Sequence, residues 1–357
     1  METFDTVTVD FDGPNDQQHP RNWPAKKKTA TVAIITVMAF VVPLTTSMLA
    51  PGVPQLMREF NSTNPQLSTF VVSIDVLGLA VGPLLLGPLS EIYGRSIIYK
   101  SASLFFFACM IACALAPDLV ALIIFRFLSG CAGAVANTNS GGTITDIHVA
   151  EERGAAMAWI GMGTLVGPVI GPVLGGFVTQ GLNWRWTFWI LAIVVSRLAW
   201  MLNSESADNG KMLKSGVTAL LIIQFLDETY PNRILQIKAR KAQKLTGTPR
   251  APVHDRPQTP SHMVFSRAIV RPIKLLLCSP VILALSVYLA LIYGEMYILF
   301  TTYPEVFSQQ YQFSANAIGL SYLGLGVGLV IGTGLVQRYS DKISQRMTTK
   351  NGSTKPE

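Results

Sequence analysis

The chain has 357 residues, 50% of them hydrophobic and only 14% charged, with a mean hydropathy of +0.39 and a formal net charge of +7. A soluble chain carries charge on roughly a quarter of its residues, so this composition excludes a water-soluble multidomain protein, a disordered chain and an ordinary nucleic-acid binder. It is the composition of a membrane protein, and the excess positive charge has to be located before it is interpreted.

Residues 1–28 carry Glu2, Asp5, Asp10, Asp12 and Asp16 ahead of any apolar run, the wrong charge and order for a secretory signal or presequence, and read as a cytosolic tail. Five apolar stretches follow, at about 29–49, 67–86, 97–115, 119–138 and 155–178, each long enough to cross a hydrocarbon core as a helix. A sixth starts at Trp186, and two more, 281–300 and 317–336, come after a polar stretch. With the tail in the cytosol, 22 of the 28 Lys and Arg residues fall on that side and only Arg58 and Arg185 on the other. That asymmetry sets the topology and accounts for the +7 without nucleic acid. The domain boundaries expected are a tail (1–28), a six-helix half (29–226), a cytosolic central loop (227–279), two helices of a second half (280–337) and a cytosolic end (338–357). Within the central loop, residues 231–245 place apolar side chains at helical intervals among charges and can lie on the membrane surface. The cysteines Cys109, Cys113, Cys131 and Cys278 sit in or beside apolar runs without zinc-site spacing and read as small packing residues.

In the loop motif 87–95, Gly87 opens the segment and Gly94 suits a tight turn. Glu91 and Arg95, four apart, can pair with each other or with a neighbouring helix end. Arg126 lies well inside an apolar span, where a guanidinium is costly unless it faces a polar interior. Asn137 and Asn139 add a polar end to the same helix and are candidates for a substrate cavity. Asp75 and Glu295 are acids within apolar spans, candidates either for proton coupling or for structural hydrogen bonding. Glycines 163, 167, 171 and 175 recur every four residues and form one bare stripe, interrupted by Pro168 and Pro172 and extended by Gly176. Another helix can pack closely there and slide or bend. Tyr288, Tyr293 and Tyr297 on the seventh stretch are candidates to line a cavity for amphipathic cations, with packing as the rival reading. No phosphate loop, metal constellation or nucleophile elbow is found, so neither cofactor, metal nor enzymatic activity is expected.

The sixth stretch is interrupted by Arg197 and the polar run 203–214. Residues 195–214 read as a translated retained intron. Codons for 195–197 can supply a splice donor, and excision would join Val194 to Ser215 into a continuous apolar span of about 20 residues. The rival reading is a genuine insertion.

Together the motifs resemble the major facilitator superfamily, in its fungal twelve-helix drug:proton antiporter branch. The matching phrases are 20–24 (PRNWP), 48–51 (MLAP), 87–95 (GPLSEIYGR), Arg126 with Gly130, 141–146 (GGTITD), 152–154 (ERG), 163–176, 183–186 (NWRW), 228–231 (ETYP) and 300–304 (FTTYP). The resemblance implies an all-α integral membrane fold with a complete six-helix N-terminal half and the first two helices of the second half. It also implies halves that rock about a central cavity, and export of small amphipathic molecules against inward proton movement. Glu91 and Arg95 would latch the cytosolic gate with support from Asp146 and Arg153, Arg126 would serve proton coupling, and the glycine stripe would bend the fifth helix. Ser96 stands where a second basic residue is usual, and Asp75 and Glu295 stand at positions expected to be apolar or aromatic. The implied partners are protons, a small-molecule substrate and the lipid bilayer, without nucleic acid. A plasma-membrane location with a cytosolic N-terminus and a monomeric state when complete are expected. Four family helices would lie beyond Glu357, so the alternative is a truncated or mis-spliced product that inserts without transporting.

Overall fold

The computed structural model describes residues 7–13, 15–204, 227–246, 250–252, 261–329, 331, 332, 335 and 339. A short strand β1 (Val7–Val9) precedes α1 (Ala25–Met48), and a 3-10 turn (Ala50–Gly52) leads into α2 (Val53–Glu59). Pro51 and Pro54 occupy first-turn positions, where no amide is needed, so the chain turns while staying helical. Next come α3 (Pro65–Tyr93), α4 (Arg95–Ala114), α5 (Leu119–Gly133), α6 (Val135–Ile147), α7 (Ala150–Gly181) and α8 (Arg185–Ser204). After these the described chain holds α9 (Pro231–Thr246), β2 (Arg250–Pro252), α10 (Ser261–Cys278), α11 (Pro280–Gln309) and α12 (Ala315–Ser321).

Side chains set several of these starts. The Asn64 carboxamide accepts the Gln66 amide at 2.9 Å ahead of α3, and the Asp118 carboxylate accepts the Ala121 amide at 2.7 Å ahead of α5. Among the described residues, six helical segments are long and apolar enough to cross a membrane, with α1–α2 counted as one and α5–α6 as another. Shorter apolar helices lie at Arg185–Val194 and Ala315–Leu329. Each of the five apolar stretches before residue 180 lies within a helical segment, to within a residue at its ends, 119–138 being shared by α5 and α6. The sixth stretch begins α8, whose backbone stays helical to Ser204, and the remainder of 195–214 lies outside the described residues. The polar stretch 227–279 is largely helical where described: α9 covers the segment with helical apolar intervals, and α10 continues almost to α11. Ile269, Ile273 and Leu276, spaced by a turn, give α10 the periodicity that its arginines and Pro272 conceal in a hydropathy scan.

α1 sits at the centre of the first half. Two buried clusters stack along it, one around Met48, Leu56, Met110, Leu122, Trp184 and Phe188, the other around Ile35, Ala39, Tyr99, Ile144 and Ile160. Outward positions such as Leu77, Ile97, Phe105, Ile124, Trp159 and Phe177 stay exposed, an apolar belt suited to lipid. The helix ends define two sides. On the tail side lie the start of α1, the α3–α4 and α6–α7 junctions and α9; on the far side lie α2 and the α4–α5, α7–α8 and α11–α12 junctions. β1 and β2 pair in parallel, Val7 opposite Arg250 and Val9 opposite Pro252, which ties the tail to the segment after α9.

Candidate functional site: two polar clusters and a glycine-lined helix

The first cluster lies at mid-membrane, where α3 and α5 touch backbone to backbone. A Cβ on Gly130 would come 2.1 Å from the Asp75 carbonyl oxygen, and one on Gly78 2.3 Å from that of Phe127, so only glycine permits this approach. The contact sets Asp75 of α3 opposite Arg126 and Ser129 of α5, with Thr46 of α1 closing the group; all four are buried. The Asp75 carboxyl is in hydrogen-bond contact with the Thr46 hydroxyl and, at 2.9 Å, with the Ser129 hydroxyl. The Arg126 guanidinium, 0% exposed, donates from Nη2 to the Thr46 carbonyl oxygen at 3.3 Å and lies 5.8 Å from the Phe188 ring centre. Its Nε and Nη1 have no hydrogen-bond partner among the described residues. A guanidinium is costly to bury unless it meets polar partners, which marks Arg126 as a functional candidate.

The second cluster lies on the tail side. Gly94 (φ +100°) breaks the helix between Glu91 and Arg95, so these two no longer share an i, i+4 face. Glu91 is exposed, while the Arg95 Nε donates to the Asp146 carboxylate at 2.6 Å. Gly142 leaves room for that reach, since a Cβ there would lie 2.3 Å from Arg95 Nη1. The Glu228 carboxylate accepts the Arg95 amide at 3.0 Å and the Ser96 amide at 3.3 Å, capping α4; a Cβ on Gly94 would sit 2.3 Å from this carboxylate. Arg153 donates to the His148 and Thr145 carbonyl oxygens, tying off the end of α6, and Gly87 packs loosely near Thr138. Lys27 pairs with Asp227 at 2.5 Å and lies 3.9 Å from the Trp23 ring centre. Lys238 of α9 reaches Asp12 at 2.7 Å and Asp16 at 3.4 Å in the tail. Backbone amides of Asp12 and Gln18, donating to Asp16, hold its carboxyl below the usual range. For Lys238 burial opposes the charge, but its bond to Asp12 and the charges of Asp12 and Asp16 outweigh burial and raise its pKa.

The glycine stripe of α7 seats α1. A Cβ at Gly163, Gly167, Gly171 or Gly175 would fall 2.7, 2.8, 2.0 or 1.9 Å from atoms of α1, three of them backbone carbonyl oxygens. Pro168 and Pro172 are buried within the helix. One residue round the helix, Gly176 faces the start of α12, where its Cβ would meet the Ala315 carbonyl oxygen at 2.4 Å. Gly319 reciprocates, its Cβ position lying 2.5 Å from the Pro172 carbonyl oxygen. The motif thus presents two faces, one to its own half and one to the next.

Other expected site residues divide. Asn139 is 1% exposed with its Nδ2 unpartnered among the described residues, whereas Asn137 is exposed. Tyr297 of α11 lies within electrostatic reach of Asp75 and Arg126, and Tyr293 is one turn away on the same face. Tyr288 and Glu295 fall on the opposite face of that helix and are exposed, so the structure does not bring them to Arg126. The sequence reading missed Thr46, Ser129 and the capping role of Glu228. The hydroxyl run 45–47 inside an apolar span, and a serine three residues after the buried arginine, were the available signals.

Residues 35–352 match the model of the Major Facilitator Superfamily. The efflux pump radE of Floropilus chiversii is 41% identical over the whole chain, which covers 63% of that protein. The transporter penM of Penicillium rubens is 42% identical over 99% of the chain, which covers 66% of it. The chain therefore spans about two thirds of the length of these relatives. Among solved structures, a D-xylose–proton symporter superposes with a TM-score of 0.57 at 17% identity over 88% of this chain and 69% of its own. A bacterial homologue of the human lysosomal transporter Spinster, in an inward-facing and unoccupied conformation, gives 0.57 at 14% over 89% and 64%. Those two likenesses concern the fold; the fungal relatives are named as transporters and efflux pumps, not enzymes. With six membrane-length helices and a family match over most of its length, the chain is an all-α, multi-pass membrane protein and belongs to the Major Facilitator Superfamily.

Proposed function

We propose that the protein belongs to a proton-coupled exporter of small amphipathic organic molecules, with its tail side in the cytosol and the plasma membrane as its site. The observation that carries this reading is the buried cluster of Arg126, Asp75, Thr46 and Ser129: opposite charges at mid-membrane, not ion-paired with one another, with idle guanidinium donors. A structural ion pair would be saturated; a coupling site has to exchange partners during a cycle. The Arg95–Asp146–Glu228 cluster serves as the tail-side gate, and the α7–α12 contact as the joint between halves. Names among the fungal relatives support export. The test is transport in sealed vesicles under an imposed pH gradient, with a panel of fluorescent amphipathic dyes that includes ethidium. The expected result is gradient-dependent dye movement, abolished by Arg126→Ala while membrane insertion persists. Dye movement indifferent to the gradient, or undiminished in that variant, refutes the coupling role.

A further inference from the structure

The mid-membrane cluster can be audited proton by proton. The Thr46 hydroxyl touches two acceptors, the Asp75 Oδ2 and, at 3.2 Å, the Val42 carbonyl oxygen. The Ser129 hydroxyl likewise touches Asp75 Oδ1 at 2.9 Å and the Arg126 carbonyl oxygen at 2.7 Å. Each hydroxyl owns one proton and two lone pairs, and an ionised carboxylate only accepts. With Asp75 ionised, both hydroxyl protons turn to the carboxylate, and the contacts to Val42 and Arg126 carbonyls go without one. With Asp75 neutral, its own proton on Oδ2 donates to Thr46, whose hydroxyl proton then turns to Val42; Ser129 continues to donate to Oδ1. Three of the four contacts are then filled instead of two. The cluster accommodates either state by rotating hydroxyls, with no movement of a helix.

Thr46 also meets the opposite charge, because its carbonyl oxygen is the one acceptor that Arg126 has among the described residues. The same residue thus grips the acid with its side chain and the base with its backbone. Titratable groups in electrostatic range of Asp75 among the described residues include Cys113 on α4, Cys131 on α5 and Tyr297 on α11. All three are neutral at ordinary pH, so Arg126 is the sole fixed charge among these neighbours.

We infer that Asp75, Thr46 and Ser129 form a single-proton binding site, in which the two hydroxyls are positioning residues that stabilise the ionised carboxylate, and Thr46 turns its own proton to the Val42 carbonyl oxygen when the carboxylate is protonated. The proton comes from hydronium in water on one side, forms an O–H bond at Oδ2 and takes the carboxylate from −1 to neutral; release reverses the step. This deepens the transport reading and rests on it for the direction of proton flow, but proton binding itself is measurable without transport.

The experiment is an infrared pH titration of the protonated-carboxyl C=O stretch in the full chain, reconstituted in lipid. One titrating band is expected to vanish in Asp75→Asn. In Thr46→Val the midpoint should rise by about one pH unit, because the ionised form loses a donor, and in Ser129→Ala it should rise by less, because that hydroxyl donates to the carboxyl in both states. Thr46→Ser should restore it, and circular dichroism of each variant checks that the helices are intact. A band unaffected by Asp75→Asn, or midpoints unmoved in both hydroxyl variants, overturns the inference. Failure of dye transport with this titration intact would count against the export reading alone.

Discussion

Two arginine–carboxylate groupings sit on neighbouring helices, and they are built to opposite rules. On the tail side, Arg95 has an aspartate at 2.6 Å, and its backbone amide is capped by a glutamate. At mid-membrane, Arg126 has one carbonyl oxygen at 3.3 Å and two donors idle, while Asp75 takes its hydrogen bonds from hydroxyls instead. The residue types are the same and the difference is ion pairing. A paired cluster holds elements in place and opens only when whole helices part. An unpaired one already carries the cost of burial and can change partners at small additional cost.

The largest contrast should come from deleting each arginine in turn. Arg95→Met strands a mostly buried Asp146 and should destabilise the protein by on the order of 3 kcal/mol. Arg126→Met removes an under-partnered cation and should cost under about 1 kcal/mol, or even stabilise. Thermal unfolding in detergent compares the two, and equal losses would dissolve the distinction. A step smaller, Gly94→Ala should cost about 2 kcal/mol, because φ is +100° there and the new methyl would meet the Glu228 carboxylate at 2.3 Å. If Glu228→Ala in the same chain relieves part of that loss, the steric share is identified. Glu228→Gln keeps the shape and removes the charge from two amide caps, for about 1 kcal/mol, read from the same melts.

The smallest effect concerns the exposed tail clamp. Lys238→Glu should raise hydrogen exchange at the β1 amides without altering the melting of the helical bundle. Asp16 has a lowered pKa, so its contribution is complete above the unfolded value of 3.8 and fades as pH falls through the folded one. Lys238 has a raised pKa, so its contribution is complete below 10.5 and fades as pH rises through the folded one. β1 protection should therefore hold across neutral pH and fall away at either extreme; a loss near neutrality would mean that another group holds the tail.

The helices were legible because hydropathy and the prolines and caps that frame them are local: 67–86 declares itself as a span whatever it packs against. Arg126 was legible as a costly exception within such a run. The partners were not. Thr46 meets Asp75 across 29 residues of sequence, and Glu228 caps Arg95 across 133, separations at which no window connects them. Glu91 was expected near Arg95 by helical spacing, and one positive φ at Gly94 cancelled that spacing. α10 escaped notice because its charges dilute the hydropathy that its periodicity preserves.

The pairing of β1 with β2 has a consequence in time. Val7 is made ahead of α1 to α9, and its partner Arg250 only after them. At ~5–20 residues per second that delay is roughly 10–50 s. Throughout it the tail presents an open strand edge, flanked by Asp10 and Asp12, whose charge discourages pairing with a stranger. The clasp can shut only when the first half of the chain has been delivered. It is the last stitch in that half, and a protease that cuts the tail of nascent chains but spares finished ones would read off the moment it is tied.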